Sequence, residues 1–204
     1  MFIVFPLTAS AQDNKYAVVW GSKGYKGQQI CGDNNARLMA HLLKGYGFNM
    51  RVNIGRLEFD ELMSDLDWLR ENTDENSTVI FFYSGHGTMN GVGKFSHYYL
   101  NYLFKDIKGE LCMIIECCYS GNACEPLSGE NRLVIASTAV NHTGYTTTHG
   151  SLFGHFFLNE AIKRDMADLN GDGVSMEEAF YYYHNKNPYL YGTISDNYEG
   201  EFIL

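Results

Sequence analysis

Three nearly unbroken apolar runs restrict this chain more than any other feature: "STVIFFYSGHG" (77–87), "ELCMIIECCYSG" (110–121) and "NRLVIAST" (131–138). Each is continuously hydrophobic rather than alternating, the pattern of a strand buried on both faces. Such strands belong inside a parallel sheet, and parallel neighbours need crossovers long enough to hold helices. The intervening sequence supplies them. "DNNARLMAHLLKGYGF" (33–48) opens on acidic and amide residues, places Ala36, Leu38, Met39, Leu42 and Leu43 at helical spacing and closes on glycines. "FDELMSDLDWLREN" (59–72) aligns Leu62, Leu66 and Leu69 on one stripe, with Asp60 near its start. "KYAVVWG" (15–21) and "MRVNIG" (50–55) read as further strands, and 150–166 and 175–187 as amphipathic helices. Tyr181 to Tyr183 are expected to pack the last helix against the sheet, and the tail to end in a short apolar strand. The fold class expected is α/β, a mostly parallel central sheet with helices on both faces.

The chain has 204 residues, 45% of them hydrophobic, enough for one ordinary domain with a core that needs no covalent staples. A net charge of −9 argues against a phosphate-backbone partner, so no nucleic acid is expected. No apolar run approaches the ~20 residues of a membrane-spanning helix. "MFIVFPLTASAQ" is a short apolar stretch ending in Ala9-Ser10-Ala11, which reads as the remnant of a signal peptide over 1–11, with the domain proper over 12–204. The expected location is therefore secreted or periplasmic. Five cysteines, an odd number, leave at least one thiol unpaired in such a compartment. A disulfide between Cys31 and Cys124, both placed in loops near the cleft rim, has no support in the sequence.

In parallel α/β sheets the ligand site lies beyond the carboxyl ends of the strands. Two exits carry chemistry here: His86 within "YSGHG" and the pair Cys117-Cys118 within "ECCYSG". Thiol catalysis needs a thiolate, a base beside it, and N–H donors for the oxyanion of the tetrahedral intermediate. His86 could serve as base, and the backbone N–H groups of Gly87 and of the attacking cysteine as donors. Most lone histidines are structural and most free cysteines are small buried hydrophobes. For one of the two cysteines that reading holds, because neighbouring side chains on an extended segment point to opposite faces.

A histidine-glycine pair after one strand, then Glu-x-Cys-x-Ser-Gly after the next, resembles the legumain family of the caspase-like clan of cysteine peptidases, in its compact bacterial form. The resemblance runs from about Tyr16 to the C-terminus. It implies a caspase-like three-layer sandwich and a Cys118–His86 dyad working through a thioester acyl-enzyme. It further implies an oxyanion hole from Gly87 and Cys118, and Glu116 in the pocket for the residue before the scissile bond. Gln29, His149 and Ser151 fall where relatives approach that pocket. Legumains cut after asparagine, which the resemblance makes the first expectation. The first strand-to-helix loop, "YKGQQICG", departs from the legumain pattern, so arginine or lysine paired with Glu116 is the runner-up; aspartate is third, since no arginine is evident to hold it. The partner is a peptide or protein substrate. Transpeptidation through the same acyl-enzyme, and a catalytically silent binding module on the same fold, are the competing readings. Relatives are often zymogens, which makes Asn14, Asn72 and Asn76 candidate processing sites.

No cofactor is required for this chemistry. "DLNGDGVSMEEA" (168–179) places Asp168, Asn170 and Asp172 like the first ligands of an EF-hand loop, with Glu178 one residue early for the last. A structural calcium ion there competes with an Asx-rich turn and a Ser175/Glu178 capping box. His41, His97, His142 and His155 stand singly and suggest no role.

Overall fold

The computed structural model describes residues 14–22, 31–147, 150–186 and 191–204. Along the chain run β1 (Lys15–Gly21), α1 (Gly32–Gly45), β2 (Asn49–Ile54), α2 (Phe59–Asn72) and β3 (Thr78–Ser84). A small antiparallel sheet follows, β4 (Gly87–Thr88), β5 (Gly91–Val92) and β6 (Phe95–Ser96), leading into α3 (His97–Phe104). β7 (Glu110–Glu116), a 3-10 turn (Ser120–Ala123), α4 (Cys124–Leu127) and β8 (Arg132–Ala136) come next. The chain then forms the hairpin β9 (Thr146–Thr147) and β10 (Gly150–Ser151), a π-helix (Gly154–Ile162), α5 (Met176–Lys186) and β11 (Thr193–Asp196).

Six strands make the central sheet, in the order β11-β8-β7-β3-β1-β2. All its pairs are parallel except β11 with β8. Because successive residues of a strand point to opposite faces, β1, β3, β7 and β8 each feed two cores. Val19, Phe82, Ile114 and Ile135 pack with α1, the π-helix and α5. Val18, Phe81, Met113 and Val134 pack with α2, α3 and α4. Phe81 and Phe82 are neighbours in sequence, both fully buried and on opposite sides, each contributing about 1.5–3 kcal/mol of burial. This is the three-layer α/β sandwich expected, with helices on both faces.

Three expectations are corrected. The helix expected from residue 150 begins later, because Gly150 (φ +124) turns the chain into β10, and the Ser151 hydroxyl then accepts the Gly154 N–H (2.8 Å), as a helix cap does. The tail's strand is "TISD" rather than "FIL": Phe202 and Leu204 plug a core, and Ile203 makes only an isolated bridge to Ser175. Cys124 is buried at the start of α4 instead of lying in a loop, and like Cys31 it is a free thiol. Of the tyrosine run, Tyr183 alone is buried, its hydroxyl donating to the Ser137 carbonyl (2.7 Å), while Tyr181 is exposed. No helix among the described residues is long and apolar enough to cross a membrane.

Candidate active site

The site is assembled by strand register. β3 and β7 pair in parallel with Ser84 opposite Glu116, and the Gly85 N–H donates to the Glu116 carbonyl (2.9 Å), extending the pairing one step past the ladder. Two residues on from Ser84 is His86; two on from Glu116 is Cys118. Gly87 completes the approach: a Cβ at that position would overlap both Cys117 Sγ and the Cys118 carbonyl. Only glycine lets the chain after His86 lie against the Cys117–Cys118 peptide.

The two cysteines differ in burial. Cys117 is 5% exposed in the core beneath α2 and α3, and burial, then the neighbouring Cys118 and Glu116, push its thiol well above the ordinary range. A thiol so placed is a packing group. Cys118 is half-buried and opens on a pocket of about 70 Å³, whose lining includes Cys31, Asn35, Glu116, Tyr145 and Ser151. His86 is exposed at the neighbouring exit.

Glu116 forms the pocket's polar floor and is 7% exposed. Asn35, in the first turns of α1, donates from Nδ2 to both carboxylate oxygens (2.8 and 2.9 Å). The Ser151 and Ser84 hydroxyls donate as well. Burial nevertheless raises the Glu116 carboxyl above its ordinary range, with these donors offsetting part of the shift. Asn35 Nδ2 also reaches Ser151 Oγ (2.7 Å), so three distant segments close one network. Cys31 lies near enough for the Glu116 charge, after burial, to help raise its own thiol.

The turn carrying Cys118 is held from below. Tyr119 takes a left-handed conformation (φ +60), and its N–H donates to the His142 carbonyl (2.7 Å). Ser120 is fully buried; its Oγ accepts the Thr138 N–H (3.1 Å) and contacts the Thr138 hydroxyl (3.0 Å). His142, assigned no role from its sequence context, thus contributes its backbone carbonyl to the turn that carries Cys118.

Of the remaining expected residues, Ser151 joins the pocket, whereas Gln29 and His149 lie outside the described residues, as do the leader 1–11 and any first-loop specificity elements in 23–30. Sequence reasoning missed Asn35 and Ser84 as pocket residues. Asn35 had one usable signal, its position in the first turn of a helix that must start at a strand exit. In the 168–178 loop, carboxylate oxygens of Asp168, Asp172 and Glu178 come within 4.8 Å of one another. Asp168 accepts N–H bonds from Asn170, Gly171 and Gly173, and Asn170 Nδ2 donates to Asp172 (3.0 Å). The capping box is formed as well: Ser175 N–H donates to Glu178 (3.1 Å) and Glu178 N–H to Ser175 Oγ (3.1 Å).

A thiol and an imidazole at adjacent exits of a six-stranded α/β sandwich, above a pocket with an acidic floor, place the chain in the caspase-fold class. A sequence profile of the caspase domain, a cysteine-peptidase family, matches residues 14–170, and the chain belongs to that family. A solved structure of caspase-1 from Spodoptera frugiperda is similar in fold, with a TM-score of 0.68 at 13% identity, covering 94% of this chain and 90% of that one. Comparison with curated protein sequences returns no match.

Proposed function

We propose that the protein is a cysteine endopeptidase in which Cys118 attacks the scissile carbonyl. His86 takes the thiol proton and then delivers one to the departing amine. The N–H groups of Gly87 and Cys118 receive the oxyanion, and water activated by His86 resolves the thioester. The observation that supports this is the register-driven meeting of His86-Gly87 with the Cys117–Cys118 peptide at the mouth of the pocket.

For the residue before the scissile bond, two readings have support. A basic side chain is favoured by Glu116 itself: its neighbours Asn35, Ser84 and Ser151 are neutral, and no lysine or arginine lines the pocket among the described residues. A buried carboxylate without a cation gains most from a substrate that brings one. Asparagine, implied by the resemblance to legumains, is favoured by the modest volume of about 70 Å³. Against asparagine, its amide oxygen needs a donor, and the donors at the floor are already turned toward Glu116. We therefore place arginine or lysine first.

Labelling with peptidyl acyloxymethyl ketones carrying arginine, lysine or asparagine at the reactive end tests both points. Covalent adduct on Cys118, abolished in Cys118→Ala and strongest with the basic probes, is expected. A folded protein that takes no label at Cys118 would overturn the peptidase reading; preferential asparagine labelling would restore the second specificity. Export of the mature chain and a structural calcium ion held by Asp168, Asn170, Asp172 and Glu178 belong to the same proposal. They are checked by the N-terminus of protein recovered outside the cell and by calorimetric titration with Ca²⁺.

A further inference from the structure

We propose that Tyr83 is a positioning residue for the catalytic base: its buried hydroxyl holds the His86 backbone in the conformation that presents the imidazole to Cys118. The inference rests on the peptidase reading above. Tyr83, the penultimate residue of β3, is 2% exposed, and its hydroxyl turns forward to donate to the His86 carbonyl (2.8 Å). The same carbonyl accepts the Gly93 N–H (2.9 Å), one step past the Gly87–Val92 pair that joins β4 to β5. His86 therefore sits in a turn between β3 and β4, exposed itself while its carbonyl is held by two donors.

The hydroxyl reaches that carbonyl through a gap that glycine makes. A Cβ at Gly85 would come within 2.6 Å of Tyr83 Oη, and one at Gly93, where φ is +58, within 3.4 Å. Any side chain at 85 would evict the hydroxyl. The glycine before His86 and the tyrosine three residues before it thus act together: one leaves the space and the other fills it with a donor. Burial, then the nearby Cys117, raises the Tyr83 phenol well above its ordinary value, so it remains a donor at every pH at which a thiol peptidase works. A hydrogen bond to the backbone of a base fixes its orientation without touching substrate, and loose geometry of a base is costly to proton transfer.

The test uses the rate of Cys118 alkylation by iodoacetamide as a function of pH, read by peptide mass spectrometry. This probe reports the thiolate held by His86 and is independent of the residue preferred before the scissile bond. Wild type and His86→Ala first decide the peptidase reading: the wild type should alkylate at a pH where His86→Ala does not, and identical profiles would end the pairing of His86 with Cys118. Given that difference, Tyr83→Phe, which keeps the ring and removes only the hydroxyl, is expected to lower the rate near pH 6 about tenfold. This falls short of the ~10²-fold cost of a 1 Å misplacement, because the Gly93 bond remains. The limiting rate at alkaline pH and the melting temperature should stay close to wild type. A Tyr83→Phe profile that superimposes on wild type overturns the proposal. So does a fall in rate that tracks the unfolded fraction at all pH values, which would make Tyr83 purely structural.

Discussion

Glu116→Gln separates the readings of the pocket most sharply. In the wild type, Asn35 Nδ2 donates to both carboxylate oxygens, at 2.8 and 2.9 Å. In the variant one of those oxygens becomes an NH₂ group, so a donor faces a donor and a bond to a charged acceptor, worth about 1.5–3 kcal/mol, is lost. Opposing this, the cost of a buried charge disappears. The folded carboxyl is raised above its ordinary value, so the folded state holds the proton more tightly than the unfolded one. The wild type therefore loses stability as pH rises from about 4.5 through the raised value, and the variant does not. The melting temperature of the variant relative to wild type should improve from pH 4 to pH 7. For turnover, an arginine substrate loses a charge-assisted contact of about 1.5–3 kcal/mol, or ~10–100-fold in kcat/KM. An asparagine substrate also loses a charged acceptor, but the remaining oxygen of the glutamine side chain can still accept its amide N–H, so its loss is smaller, less than about tenfold. Paired fluorogenic peptides differing only at that residue provide the assay. Equal losses on both peptides, or none, would refute the assignment of Glu116 to this pocket's recognition.

Cys118→Ala should abolish turnover and labelling, whereas Cys117→Ala, which removes a buried packing thiol, should keep labelling at Cys118 and lower the melting temperature; intact-mass analysis and thermal denaturation distinguish them. Gly87→Ala forces a Cβ into Cys117 Sγ and the Cys118 carbonyl, so a loss of at least ~10²-fold in kcat is expected, with stability reduced as well, measured by active-site titration of folded protein. Ser120→Ala leaves the buried Thr138 N–H without its acceptor, a cost of about 1–3 kcal/mol in chemical denaturation.

How far the sequence revealed all this depends on where its signal was one-dimensional. β3, β7 and β8 are apolar on both faces and α2 carries a clean stripe, so their periods are readable and their bounds fall close to expectation. The stripe of α3 is masked: Leu100, Leu103 and Phe104 are buried at helical spacing, but the exposed Tyr98, Tyr99 and Tyr102 place aromatic residues on the other side as well. The two-residue strands β4, β5 and β6 are too short to carry any period. In the tail, hydrophobicity pointed to "FIL", yet the edge strand β11 is mostly polar and is held by main-chain pairing to β8, which side-chain pattern does not encode. The pocket was half legible. Glu116 sits within its motif and Ser151 was reached through the resemblance, but Asn35 lies 81 residues from Glu116 in sequence and meets it only through the fold.

That the His86 and Cys118 motifs emerge at adjacent strand exits was legible for a reason that parallel pairing makes physical. In a parallel ladder the offset between partners is constant, so two motifs at equal distance past a matched pair must emerge side by side. Ser84 and Glu116 are that pair, and "GH" and "CC" are each two residues long. What the ladder delivers, however, is only backbone proximity. The choice between the two thiols follows from Gly87, whose missing side chain admits Cys117 beneath it and leaves Cys118 to face outward. The orientation of the imidazole depends in the same way on space left at Gly85 and filled by Tyr83. Register thus selects which residues meet, and the absent Cβ atoms on the histidine side determine how they meet. This is why a glycine lies on each side of His86, and why neither motif alone defines the site.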